Sequence, residues 1–101
     1  MPDLILQGDI LKVEGIGFPV LTVSKDFFNQ TGKVIVCPII ENANASPLHF
    51  TLSLNKKDGF ILCEQLRYLD LSIRHFKKIT SLSPMERMEI ADTVQCIFDY
   101  V

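Results

Sequence analysis

The chain has no tryptophan, two histidines, three cysteines, and no apolar run near the roughly 20 residues that a membrane-spanning helix needs. Cys37, Cys63 and Cys96 are far apart and odd in number. No CxxC spacing occurs and neither His49 nor His75 has a second ligand beside it, so no metal site is expected. Each cysteine sits in an apolar stretch, which predicts buried, reduced thiols. Walker, GxGxxG, GxSxG and HExxH motifs are absent, and no cofactor is implied. Positive charge is also short: ten Lys and Arg face twelve Asp and Glu, a net charge of -2. No global field therefore draws the chain to nucleic acid, and such a role would need a local patch. Met1-Pro2-Asp3-Leu4 lacks the basic start of a signal peptide, so the expected setting is the cytoplasm, without a membrane.

What is present suits one small core. Hydrophobic residues make up 48% of 101 positions, which predicts a single domain over residues 1–101. A chain this short with this apolar content is expected to dimerise. Gln7-Gly8-Asp9 reads as a turn, and Ile10, Leu11 and Val13 as a first strand. A second strand is expected over 18–24, with Pro19 at its start because proline cannot donate to a ladder. Ser24 is a candidate N-cap for a short helix through Phe27, Phe28 and Asn29, stopped by Gly32.

Residues 34–40 are apolar and largely β-branched, as in a strand buried on both faces. Residues 41–46 are polar and predict a loop. Leu48, Phe50, Leu52 and Leu54 alternate with His49, Thr51 and Ser53, a half-buried strand. Asp58-Gly59 is the expected hairpin turn, with 60–66 as the return strand. Near the end, Ser83, Pro84 and Glu86 spell a capping box with proline at the first helical position. Ile90, Val94, Ile97, Phe98 and Val101 then recur at helical spacing on one face. The expectation is a mainly β fold, a small barrel or curled sheet, with a short helix after strand 2 and a C-terminal amphipathic helix.

Chemistry is less legible. Asp9, Glu64 and Asp70 show no pairing that suggests acid–base work. Arg67, Arg74, His75, Lys77 and Lys78 lie close in sequence and form a candidate anion-binding face; the ordinary alternative is a solvated loop.

The order of segments adds a resemblance. Gln7-Gly8-Asp9-Ile10-Leu11, Pro19-Val20-Leu21-Thr22-Val23-Ser24, Phe28-Asn29 and Val34-Ile35-Val36-Cys37-Pro38-Ile39 resemble the opening half of the MazF/PemK toxin family. Gly59-Phe60-Ile61-Leu62 and Gln65-Leu66-Arg67-Tyr68-Leu69-Asp70 look like its later strands. The resemblance implies an SH3-like barrel with a C-terminal helix, a homodimer, and an antitoxin protein as partner. It further implies metal-independent cleavage of single-stranded RNA through the 2′-hydroxyl. The family places an Arg just before the Pro of the second strand and a Thr just after the end of the third.

This chain departs at both positions, with Phe18 and Ile40. Neither side chain donates to a phosphate, and losing one such donor typically costs about 10²–10³ in rate. The segment between the first two strands, 14–17, is also short. No catalytic residue is therefore assigned. Lys25, His49, Gln65, Arg67 and Arg74 are the candidate nucleic-acid-binding residues; for Gln65 a backbone hydrogen bond at a strand end is the plain alternative. Three readings stand: an RNA-cleaving toxin, a catalytically inactive module that binds nucleic acid or antitoxin, and a gyrase-directed toxin of the CcdB type. The missing tryptophan counts against the last.

Overall fold

The computed structural model describes residues 4–98. Chain order is β1 (Asp9–Val13), β2 (Val20–Thr22), α1 (Asp26–Asn29), β3 (Lys33–Ile40), β4 (His49–Leu54), β5 (Lys57–Leu62), β6 (Arg67–Asp70), β7 (Phe76–Ser81) and α2 (Pro84–Phe98). All strand pairs are antiparallel, in the order β4-β5-β3-β2-β1-β7, with β6 also on β3. The result is the expected mainly β, SH3-like architecture: a curled half-barrel with one terminal helix.

β3 organises it. One edge of the strand pairs with β2 through Val36, Cys37 and Pro38. The other edge takes β6 along 33–36 and β5 at Ile39 and Ile40. Each face of the strand also packs on a core, so Val34 and Val36 on one side and Cys37 and Ile39 on the other are all buried. Pro38 lacks an N–H, yet the ladder survives because Ile39 N donates to Pro19 O at 2.9 Å.

Alternation along the strands divides the core between two sheet faces. Leu11, Val13, Val20, Val34, Val36 and Leu69 form one cluster, with Phe18 and Phe76 packed against it. Ile10, Leu21, Cys37, Ile39, Ile61 and Cys63 form the other, beneath Ile90 of α2. Neighbours such as Val36 and Cys37 thus point to opposite cores, as the two-residue period requires.

Several expectations need correction. The second strand is only Val20–Thr22. Ser24 does not cap α1: Lys25 takes that position without a side-chain bond. Ser24 Oγ instead donates to Asn29 Oδ1 and accepts from Ile35 N at 3.0 Å. Asn29, 5% exposed, passes the connection on through Nδ2 to Ile5 O and Ser24 O. Ser24 is thus used between segments rather than at a helix end.

The β4–β5 turn lies at Asn55-Lys56, both with positive φ, 50° and 66°. Asp58 and Gly59 sit inside β5, opposite Ser53 and Leu52. Gly59 is there for closeness: a Cβ on it would lie 3.3 Å from Ile39 Cγ2. The return strand is accordingly Lys57–Leu62 rather than 60–66. Residues 76–81, for which the sequence predicts no element, form β7 against β1.

The capping box of α2 is formed as expected: Glu86 N donates to Ser83 Oγ at 3.2 Å and Ser83 N to Glu86 Oε1 at 3.1 Å. Ile90 is buried and Val94 packs beside it. Burying one such aliphatic side chain is worth roughly 1.5–3 kcal/mol. Helical spacing places Ile97 and Phe98 on that same face, but they are 37% and 65% exposed, so the buried contact of α2 centres on Ile90 and Val94. Val101, placed on that face by its spacing, lies outside the described residues. Cys96 is exposed on this helix, contrary to expectation, whereas Cys37 and Cys63 are buried.

Candidate functional site

The connection between β1 and β2 brings Phe18 back over the first core, beside Pro19 at the head of β2. Across from it, the chain leaves β5, turns at 63–66 and re-enters the sheet as β6. Between them opens a cleft of about 220 Å³ lined by Phe18, Val20, Val36, Pro38, Gln65, Leu66 and Arg67. Gln65 and Arg67 are its polar members. Gln65 N donates to Leu62 O at 3.1 Å, closing the turn, and the residue lines the cleft. Arg67 opens β6 opposite Val36 and is exposed; among the described residues it forms no ion pair.

The family's two substituted positions part company. Phe18 lines the cleft. Ile40 falls on the Val36–Pro38 face of β3 by the two-residue period, but it is the strand's last residue, paired with Phe60 and outside the cleft lining. Lys25 and Arg74 are exposed on the α1 N-cap and in the 71–75 loop, away from that lining. The basic run is dispersed. Arg67 is on β6, whereas Lys77 and Lys78 are on β7, and Lys78 Nζ lies 3.0 Å from Asp9 Oδ2.

His49 stands behind the turn that carries Gln65. Its Nε2 lies 2.7 Å from Glu64 Oε1, and its Nδ1 is bonded to Asn44 O. The hydrogen bond to Glu64, then that to the Asn44 carbonyl, raises its pKa above the ordinary 6.5 despite some burial. For Glu64 burial acts against ionisation, but the hydrogen bond from His49 and that from its own backbone hold the carboxyl below the ordinary 4.5. The sequence shows no pairing for Glu64. Correct placement of the turn at 55–56 would have revealed it, since that register sets His49 opposite Leu62, two residues before Glu64.

The other titratable groups have structural partners. Asp70 is held below its ordinary 3.8 by the Ser72 hydroxyl and N–H. Burial pushes Cys37 up to about 12 and Cys63 up to about 11, which leaves both as unreactive thiols. Among the described residues, no group of three or more His, Cys, Asp or Glu could hold a metal ion, and no helix is long and apolar enough to cross a membrane.

Comparison with known proteins bears on this arrangement. The family described as PemK-like, MazF-like toxin of type II toxin-antitoxin system matches residues 7–98. Over 71 residues, 65% of this chain, it is 35% identical to the endoribonuclease toxin ChpB of Escherichia coli strain K12. The matched stretch spans 61% of that protein's length. Among solved structures, MazE-MazF from Deinococcus radiodurans superposes with a TM-score of 0.82 at 21% identity, covering 95% of this chain and 97% of that one. Mycobacterium tuberculosis toxin MazF-mt6 gives 0.75 at 15%, covering 93% and 98%. These structural likenesses concern the fold, while the sequence match reaches across β1 to α2 and both sides of the cleft. The chain belongs to the PemK-like, MazF-like toxin family of type II toxin-antitoxin systems.

Proposed function

We propose that this protein is the toxin-type partner of an antitoxin, and that its cleft holds single-stranded RNA without cleaving it efficiently. The observation that carries the reading is Phe18 in the cleft wall, facing a site whose polar groups are Gln65 and Arg67. An aromatic ring, an amide and a guanidinium suit one splayed base and its phosphate. Stacking on such a ring is worth about 1–3 kcal/mol per base.

Cleavage through the 2′-hydroxyl asks for more. A base must take the hydroxyl proton, a cation must hold the phosphorane-like oxygens, and a donor must meet the leaving oxygen. Arg67 is the cation available in the lining. Phe18, Val20, Val36, Pro38, Gln65 and Leu66 include no group that accepts a proton near neutral pH. Binding survives this composition; efficient turnover does not.

A homodimer and an antitoxin complete the reading. Met85, Met88 and Phe98 are 71%, 68% and 65% exposed on α2, apolar surface that supports association. Long single-stranded RNA incubated with the purified protein in EDTA should be retarded on a gel and remain uncut. Discrete fragments with 2′,3′-cyclic ends would overturn the reading, and so would the absence of retardation. Co-expression with the open reading frame beside its gene should yield a stable complex if that frame encodes the antitoxin.

A further inference from the structure

Glu64 and Gln65 are consecutive, yet one faces His49 and the other the cleft. The turn that carries both is tied twice to the start of β4, at Leu48 just before it and at His49, its first residue. Cys63 N donates to Leu48 O at 3.0 Å, and His49 Nε2 reaches Glu64 Oε1 at 2.7 Å. On its other side His49 Nδ1 meets the carbonyl of Asn44, in the loop between β3 and β4. A carbonyl has no proton to give, and an ionised carboxylate has none either. Both bonds stand together only when both ring nitrogens carry hydrogen, as in the imidazolium.

We propose that His49 is a positioning residue: clamped between the Asn44 carbonyl and the Glu64 carboxylate, it sets the 63–66 turn so that Gln65 enters the RNA cleft, and RNA binding therefore weakens when His49 loses its proton. The inference rests on the reading of the cleft given above. The neutral ring donates from one nitrogen only, so one of the two acceptors loses its partner. The attraction to Glu64 falls at the same time, and the turn keeps only its backbone tie.

The surroundings leave Glu64 as the ionised group facing His49 among the described residues. β5 presents the Phe60 ring, 6.3 Å away between centroids, and the β3–β4 loop presents the Asn44 carbonyl. The Cys63 and Cys37 thiols feel the Glu64 charge, but burial keeps them at about 11 and about 12, protonated over the relevant range. With side-chain exposures of 13% for His49 and 32% for Glu64, the pair is shielded enough to hold its geometry and open enough to exchange protons.

Two measurements test the clamp. The first is the affinity of the full chain for a fluorescein-labelled single-stranded RNA, followed from about pH 5.5 to about pH 8.5. The unmodified protein should lose about fivefold in affinity on the alkaline side, the lower end of couplings between linked sites. His49→Gln, whose amide donates to Glu64 without titrating, should give a flat profile. The second, made without RNA, follows the Gln65 side-chain amide by NMR as His49 titrates. The amide should shift along the His49 curve, and Glu64→Gln should move that curve to lower pH. An amide that stays still while His49 titrates overturns the clamp, as does a flat binding profile in the unmodified protein. Failure to bind RNA at any pH, with the amide still tracking His49, overturns the cleft reading and leaves the clamp standing.

Discussion

Lys12 and Lys77 are direct partners across the β1–β7 ladder, two exposed cations on one face of the sheet. Among the described residues neither has an ion-pair partner, whereas the next lysine, Lys78, is neutralised by Asp9. Like charges placed directly opposite destabilise a sheet. Lys12→Glu should therefore raise stability by about 0.5 kcal/mol in dilute buffer, with the gain shrinking as salt is added. Urea midpoints at two salt concentrations measure it; an unchanged or lower midpoint for the variant contradicts the pairing.

Gly8 lies beneath the side chain of Arg87 with φ +95, and a Cβ there would meet Arg87 Cδ at 2.2 Å. Two costs are combined in Gly8→Ala, one from the backbone and one from the clash. The backbone cost is about 1–2 kcal/mol for a non-glycine residue in left-handed geometry. Arg87 is flexible and can swing away, at the loss of its bond to Gln7 O at 3.3 Å. Adding Arg87→Ala should recover the steric part and leave the backbone part. Full recovery in the double variant would show that the backbone there is unstrained.

The Asn55-Lys56 turn is made with two residues at positive φ, neither of them glycine. Lys56→Gly should stabilise the hairpin by about 0.5 kcal/mol, because the left-handed geometry is free for glycine while its extra unfolded-state entropy takes back part of the gain. Thermal melts of the two proteins check the sign. A lower melting temperature for the variant refutes it.

Stability should also depend on pH through His49 and Glu64. The folded pKa of His49 lies above 6.5, so its contribution is complete below about pH 6.5 and is lost as pH rises through the raised value. Glu64 is held below 4.5; its contribution is present above about pH 4.5 and is lost as pH falls through the lowered value. Both contributions overlap between these limits. The stability difference between the unmodified protein and His49→Gln should be greatest in that window and shrink on the alkaline side. A difference that stays constant with pH would mean that the ion pair adds nothing.

Parts of this fold were legible because their causes are local. Ser83 and Glu86 satisfy one another's backbone donors within a single turn, so the start of α2 can be read without any tertiary information. β3 and β4 were equally readable, one from its uninterrupted apolar run and the other from its alternation. Asp58-Gly59 has the composition of a turn but lies within β5, because its glycine serves the close approach to Ile39. Ser24 has the residue type of an N-cap, but its hydroxyl joins Asn29 to the backbone of Ile35, eleven residues from Ser24.

The site divides in the same way. Gln65 and Arg67 are legible as candidates from the sequence, and Phe18 before Pro19 as the replacement of the family's Arg. Their convergence on one cleft, with Ile40 left outside it, is a matter of sheet curvature and strand length. His49 and Glu64, fifteen residues apart, become partners only through the hairpin register. Sequence by itself determined the elements whose stabilising groups lie within a helical turn or a strand period. Tertiary structure alone decided which distant side chains meet, because a shift in hairpin register alters every long-range neighbour without changing any local preference.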